Sequence, residues 1–241
     1  MKMKNKKIPI KELDFINNKK NVRLIIHVGF PKTGTTFLQK NVFPNIKNVN
    51  FIRRPNFEIK IMPNKVNIIS DESLCRFPID DNKVDGFTVA QYLKTLFPNA
   101  KIIVGIRDKK SYSISLYNQY VKEGYAYSYD RWYKETNMDN FDFKPYINYL
   151  KNLFSDVYVY NFEDLKSDTM KLIKKLCVFI EVDVPEFNNK TVNPSLTEKQ
   201  LILTRFFNKF FKNKRNPNGL FPEPYFLDNV LTILEKINKK S

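Results

Sequence analysis

Apolar and polar positions divide the chain into short continuous apolar runs and longer stretches with helical spacing. Residues 22–28 (VRLIIHV), 66–70 (VNIIS), 101–106 (KIIVGI) and 157–160 (VYVY) are rich in β-branched and apolar residues at successive positions. That is the pattern of strands buried on both faces. Residues 50–52 predict one more short strand. Between them, residues 35–43 (TTFLQKNVF) read as a helix ended by Pro44. Residues 88–97 carry apolar side chains at 89, 92, 93, 96 and 97, a helix stopped by Pro98. Residues 111–123 predict a helix with Gly124 as its C-terminal cap, and residues 170–180 an amphipathic helix. Strands alternating with helices predict an α/β fold of three layers, a central parallel sheet flanked by helices. The chain reads as one domain over 1–241, with no internal repeat. Residues 1–20 form a basic, loose segment. Residues 125–149 are dense in aromatics and irregular, an insert or a lid over the strand ends. Residues 206–224 are basic and aromatic, and loop-like in their second half.

A parallel sheet binds ligands beyond the carboxyl ends of its strands. Attention therefore falls on residues 29–36, 70–73 and 107–115. Residues 28–36 read VGFPKTGTT, with Gly29 and Gly34 spaced as in a Walker phosphate loop. The lysine is displaced: Lys32 lies inside the loop, and Thr35 stands where the Walker lysine belongs. A strand, glycine loop and helix in this order aim backbone N–H groups at an anion, and Thr35 and Thr36 add hydroxyls. The fold class is accordingly of P-loop type. A kinase or NTPase also needs Mg²⁺ and a lysine on the terminal phosphates. The one strand leading into acids is 66–70, which runs into Asp71-Glu72.

Charge sharpens the partner. With 41 Lys and Arg against 25 Asp and Glu, the net charge is +16, which calls for an anionic partner such as a nucleotide, polyanion, nucleic acid or acidic membrane surface. The single histidine, His27, excludes a multi-histidine metal site. Cys75 and Cys177 lack metal or redox spacing and read as reduced core thiols. No apolar run has the length of a membrane span. No apolar segment follows the basic start, so the chain reads as cytoplasmic. A P-loop kinase or NTPase and a nucleic-acid-binding protein stay open as alternatives. The first lacks the Walker lysine, and the second leaves the glycine loop unexplained.

Pro31-Lys32-Thr33-Gly34-Thr35-Thr36 resembles the 5′-phosphosulfate loop of sulfotransferases that use 3′-phosphoadenosine 5′-phosphosulfate (PAPS). That family has a second signature, a strand ending in Arg and a Ser eight residues on, and IIVGIRDKKSYSISLYNQY supplies Arg107 and Ser115. VYVYNFEDLKSD is similar to a third family segment. The three occur in the family's order from position 24 to about 168, closer to bacterial and carbohydrate sulfotransferases than to the histidine-base small-molecule enzymes. The resemblance implies PAPS as donor, adenosine 3′,5′-bisphosphate (PAP) as product, and no metal. Pro31, Lys32, Thr33, Gly34, Thr35 and Thr36 would bind the phosphosulfate. Arg107 and Ser115 would bind the 3′-phosphate. Lys32 would stabilise the leaving-group oxygen. Family members often add a late basic loop at the 3′-phosphate, for which Lys214 and Arg215 are the candidates.

The acceptor, a hydroxyl or less readily an amine, needs a base. Glu72 falls where small-molecule enzymes of the family carry a histidine, and the glycan enzymes use a glutamate. Glu72 is the first candidate, Asp71 the second and Glu58 the third. The competing reading of Asp71 and Glu72 is as helix-capping acids. His27, inside the first strand, reads as structural. Tyr125, Tyr127, Tyr129, Trp132 and Tyr133 offer flat faces to a sugar or pack on the sheet. Glu163-Asp164 read as capping residues and Asn193-Pro194-Ser195 as a turn. A carbohydrate or glycan is the expected acceptor.

Overall fold

The computed structural model describes residues 22–54, 59–75, 85–189, 196–213 and 215–222. The strands are β1 (Arg23–Val28), β2 (Val49–Arg53), β3 (Val66–Asp71), β4 (Lys101–Ile106) and β5 (Val157–Asn161). The helices are α1 (Thr35–Phe37), which runs on through a π turn (Leu38–Val42) and a 3-10 turn (Phe43–Asn45), α2 (Gly86–Leu96), α3 (Lys109–Lys122), α4 (Tyr129–Glu135), α5 (Lys144–Leu153), α6 (Phe162–Ser167), α7 (Thr169–Ile180) and α8 (Glu198–Phe210). The five strands form one parallel sheet in the order β2-β3-β1-β4-β5, flanked by helices. Among the described residues no helix is long and apolar enough to cross a membrane.

The chain divides into two compact units, residues 1–108 with 142–192, and residues 109–141 with 193–241. The first unit holds the whole sheet. Period-two alternation splits each strand between two faces. On one face Ile25, Val66, Ile68, Ile103 and Tyr160 join Leu38, Val42 and Phe43 of the α1 run, and Leu172, Ile173 and Leu176 of α7, in one core. The alternate positions Leu24, Ile26, Val28, Ile69, Ile102 and Val104 are buried as well, so the other face is covered too. This is why the strands read as unbroken apolar runs. Cys75 and Cys177 are buried free thiols.

In the second unit Asn208 Nδ2 donates to the carbonyls of Val121 (2.8 Å) and Tyr125 (3.1 Å), tying α8 to the end of α3. Gly124 takes φ 103°, the left-handed cap that its position predicts. Trp132 is fully buried there, while Tyr127 is exposed under the Arg131 guanidinium at 3.6 Å. Thr197 and Gln200 form a reciprocal capping box that starts α8.

Three expectations are corrected. The helix after the glycine loop passes through Pro44, because Pro44 sits at the first positions of the 3-10 turn, where its missing N–H has no intrahelical role. The stretch 125–149 contains helices: Ser128 caps α4 by accepting from Arg131 N, and α5 opens at Lys144-Pro145. Residues 125–141 and 142–149 belong to different units. The second helix begins at Gly86, ahead of residue 88, because Asp85 caps it by accepting from Thr88 N at 2.8 Å. Residues 1–20, Glu58, Asn193-Pro194-Ser195 and Lys214 lie outside the described residues.

Candidate active site

The glycine loop follows β1 directly, as its apolar run predicts. Lys32 is held at φ 65° and Gly34 at φ 92°, ψ 6°, both left-handed. Glycine adopts this freely and lysine rarely. A left-handed Gly34 followed by the helical Thr35 turns successive N–H groups into one concavity, an anion-binding nest. Gly34 O accepts from Phe37 N (3.0 Å) and Leu38 N (3.2 Å). The first-turn N–H groups of the helix have no intrahelical acceptors and face outward. Thr33 Oγ1 is buried and donates to Phe30 O at 2.7 Å, closing the loop on itself.

Arg107, just past β4, donates from Nη1 to Lys32 O at 3.0 Å, and its guanidinium lies 4.3 Å over the Phe162 ring. Glu163 Oε1 accepts from Asp108 N at 3.1 Å. So the third motif braces the segment after β4 as well as opening α6.

Asp71 ends β3 and accepts from Ser73 N at 2.9 Å. Glu72 opens the 3-10 turn Glu72–Cys75 and forms an ion pair with Arg54. The Cys75 thiol donates to Gly29 O at 3.0 Å, which fastens that turn to the start of the phosphate loop. Burial pushes the Cys75 thiol up, so it stays protonated. The loop, Lys32, Arg107, Asp71 and Glu72 thus share the carboxyl edge of one sheet within one unit. Ser115 is buried on α3 in the second unit. Arg215, in that unit too, pairs with Glu123 at 2.7 Å and stacks 3.9 Å over Tyr120. Among the described residues no group of three or more His, Cys, Asp or Glu is placed to hold a metal ion.

His27 is fully buried. Its Nδ1 meets Ser70 Oγ at 2.8 Å and its Nε2 meets Tyr160 Oη at 3.3 Å. Burial pulls its pKa from the ordinary 6.5 down to about 3, so it is neutral and cannot meet an acceptor. The sign of the linkage follows. The unfolded chain takes up this proton below pH 6.5, and the folded chain does so only near pH 3. Stability from this group is complete above pH 6.5 and is lost on acidification through that window, by at most about 1.4 kcal/mol per pH unit. Urea denaturation at pH 7, 6 and 5 should show that slope in the wild type and lose it in His27→Gln; identical slopes would contradict the burial.

Sequence reasoning missed Arg54, Gln39, Tyr160 and Gly105, and gave Ser70 no role beyond its place in the stretch 70–73. A signal existed for three of them: Ser70 and Gly105 interrupt otherwise apolar strands, and Tyr160 brings a hydroxyl into one. Arg54 and Gln39 have no such mark.

A parallel α/β sheet carrying a lysine-bearing glycine loop, with an arginine on the loop backbone, is an arrangement suited to a phosphorylated ligand. The sulfotransferase-domain family model matches residues 23–206, so the chain belongs to the sulfotransferase family. It is a PAPS-dependent enzyme catalysing sulfuryl transfer. Among solved structures, a sulfotransferase from Alicyclobacillus acidocaldarius shares 15% identity, with a TM-score of 0.43, over 83% of this chain and 86% of that one. Mouse sulfotransferase SULT7A1 complexed with PAP shares 16%, with a TM-score of 0.47, over 82% of this chain and 68% of that one. A search of curated proteins found no match.

The loop fits such a group. Tyr160 Oη lies beside the hydroxyls of Thr33 and Thr35, and the buried Thr35 Oγ1 is left without a well-formed hydrogen bond in the protein. A spare hydroxyl, a nest and the partly exposed Lys32 within one turn of chain suit a phosphosulfate.

Proposed function

We propose that this enzyme sulfates a hydroxyl of a carbohydrate or glycan, with Glu72 as general base. PAPS supplies the sulfuryl group. Residues 31–36 present N–H groups and hydroxyls to its 5′-phosphosulfate. Lys32 Nζ would meet the bridging oxygen and stabilise the charge that develops there. Arg107 is the proposed contact for the 3′-phosphate, and Ser115, Lys214 and Arg215 are candidates for it on the family resemblance alone. Glu72, oriented by Arg54, accepts the acceptor's proton, and Asp71 shapes the turn that carries it.

The observation that carries this reading is the burial of His27. The one histidine of the chain has both ring nitrogens engaged under the loop. A carboxylate is then the base available beside the loop, the choice that the family's glycan enzymes resemble. The net charge of +16 also suits an acidic glycan.

The test is sulfate transfer from labelled PAPS to a panel of oligosaccharides, phenols and sterols. Transfer to sugar hydroxyls is expected; transfer confined to phenols would remove the glycan reading and leave the enzyme class intact. Calorimetry with PAP is the companion measurement. Arg107→Ala should weaken PAP by about 10- to 100-fold, the worth of a charge-assisted hydrogen bond.

A further inference from the structure

The face of the sheet beneath the glycine loop carries one buried polar row. Arg53 of β2, Ser70 of β3 and His27 of β1 stand opposite one another across three adjacent strands. Gln39, from the π turn after α1, completes the row. Its Nε2 donates to Ser70 O (3.1 Å) and Ser70 Oγ (3.0 Å), and its Oε1 accepts from Arg53 Nε at 3.0 Å. Tyr160 comes from β5, two strands away from His27. It reaches over β4 where that strand has Gly105, whose added Cβ would lie 2.4 Å from Tyr160 Cζ and 2.8 Å from Thr33 Oγ1. A glycine there leaves the space through which the Tyr160 hydroxyl meets both His27 and the loop.

One assignment of hydrogens satisfies these groups in sequence. Gln39 Nε2 donates to Ser70 Oγ, and Ser70 O–H donates to His27 Nδ1. His27 Nε2–H donates to Tyr160 Oη, and Tyr160 O–H faces Thr33 Oγ1, which lies beside it over Gly105. Thr33 O–H donates to Phe30 O. The other tautomer of His27 would aim two donors at Ser70 Oγ and leave the serine proton to find another acceptor. Gln39, Ser70, His27 and Tyr160 are all almost wholly buried. A buried polar chain adds little net stability over apolar packing of the same volume, but it fixes geometry once every member is satisfied.

We propose that Tyr160 is a positioning residue for the phosphosulfate loop, holding the Thr33 hydroxyl through a one-way hydrogen-bond chain that runs from Gln39 by way of Ser70 and His27. The inference rests on the assignment of residues 31–36 to the donor. It is independent of the acceptor, so a failed acceptor screen leaves it standing.

Tyr160→Phe keeps the ring over Gly105 and removes one oxygen. Calorimetry with PAP should show binding weakened by about tenfold, the effect of one hydroxyl hydrogen bond. Amide exchange over residues 30–37 should quicken while that over β4 does not change. In turnover, KM for PAPS should rise with kcat and the acceptor KM nearly unchanged. Ser70→Ala, at the far side of His27, should do the same to a smaller degree. A residue that only packs would lower the melting temperature and move none of these. Wild-type PAP affinity and loop exchange in Tyr160→Phe overturn the proposal; if that variant does not fold, the same result in Ser70→Ala overturns it. A wild type that does not bind PAP removes the loop assignment and this inference together.

Discussion

Lys32→Ala should lower kcat by about 10²- to 10³-fold, the effect of removing one group aimed at developing charge. The loss should fall mainly on kcat, because negative charge on the bridging oxygen is largest in the transition state. Stability should hardly change, and the backbone says why. Lys32 sits at φ 65°, where any residue with a Cβ is strained. Alanine carries the same Cβ as lysine, so the strain is equal in both proteins. The side chain is partly exposed, so its removal opens no cavity in the core. Lys32→Arg should recover only part of the rate, because a planar fork replaces a compact point charge. Steady-state kinetics with labelled PAPS, beside thermal melts, separate the two effects. A kcat within about threefold of wild type would place Lys32 away from the transferring group, since loss of transition-state stabilisation reads directly in that ratio.

Lys32 also explains why Arg107 matters before any ligand arrives. Arg107 Nη1 holds the Lys32 carbonyl at 3.0 Å, a contact that fixes the lysine's backbone in its unusual region. The two signatures of the family, read in the sequence as separate phosphate contacts, are joined by this hydrogen bond. Arg107→Ala therefore removes the proposed 3′-phosphate contact and a brace for Lys32 together.

The sheet was legible because its strands are buried on both faces. Residues 22–28, 66–70, 101–106 and 157–160 all became strands with at most one end shifted, and 50–52 lies within β2. The glycine loop was legible because a left-handed turn leading into a helix demands glycine at Gly34. What the sequence concealed lies in tertiary contacts. Glu72 shows as an acid after a strand, but its partner Arg54 lies just past the end of another strand, β2, and nothing local links them. Gly105 looks like a weak point in β4 until Tyr160 is seen lying over it. His27 reads as structural from its place inside a strand, but its partners Ser70 and Tyr160 come from two other strands that nothing local points to. The helices of 129–135 and 144–153 were hidden because aromatic residues have middling helix propensity, and tertiary packing decides their conformation.

Glu72→Gln should lower kcat by about 10²- to 10⁴-fold, the usual worth of a positioned general base, with little effect on PAP binding. Glutamine keeps the length and can still accept from Arg54, so the fold of the turn is retained. The salt bridge between Arg54 and Glu72 joins two ionised groups, and an ionised carboxylate is the form that takes a proton. Arg54 acts through Glu72, so Arg54→Ala should cost less rate than Glu72→Gln. The double variant should be no slower than Glu72→Gln alone, the non-additivity of two residues on one path. Asp71→Asn provides the contrast. Its carboxylate accepts from Ser73 N at 2.9 Å, a local turn contact that asparagine reproduces, so its rate should stay close to wild type. If Asp71→Asn proved the slower enzyme, the base would move one residue back along β3. If both kept wild-type kcat, the base would lie outside this turn. Either result could be read in one set of single-turnover measurements with saturating PAPS, where chemistry is seen without product release.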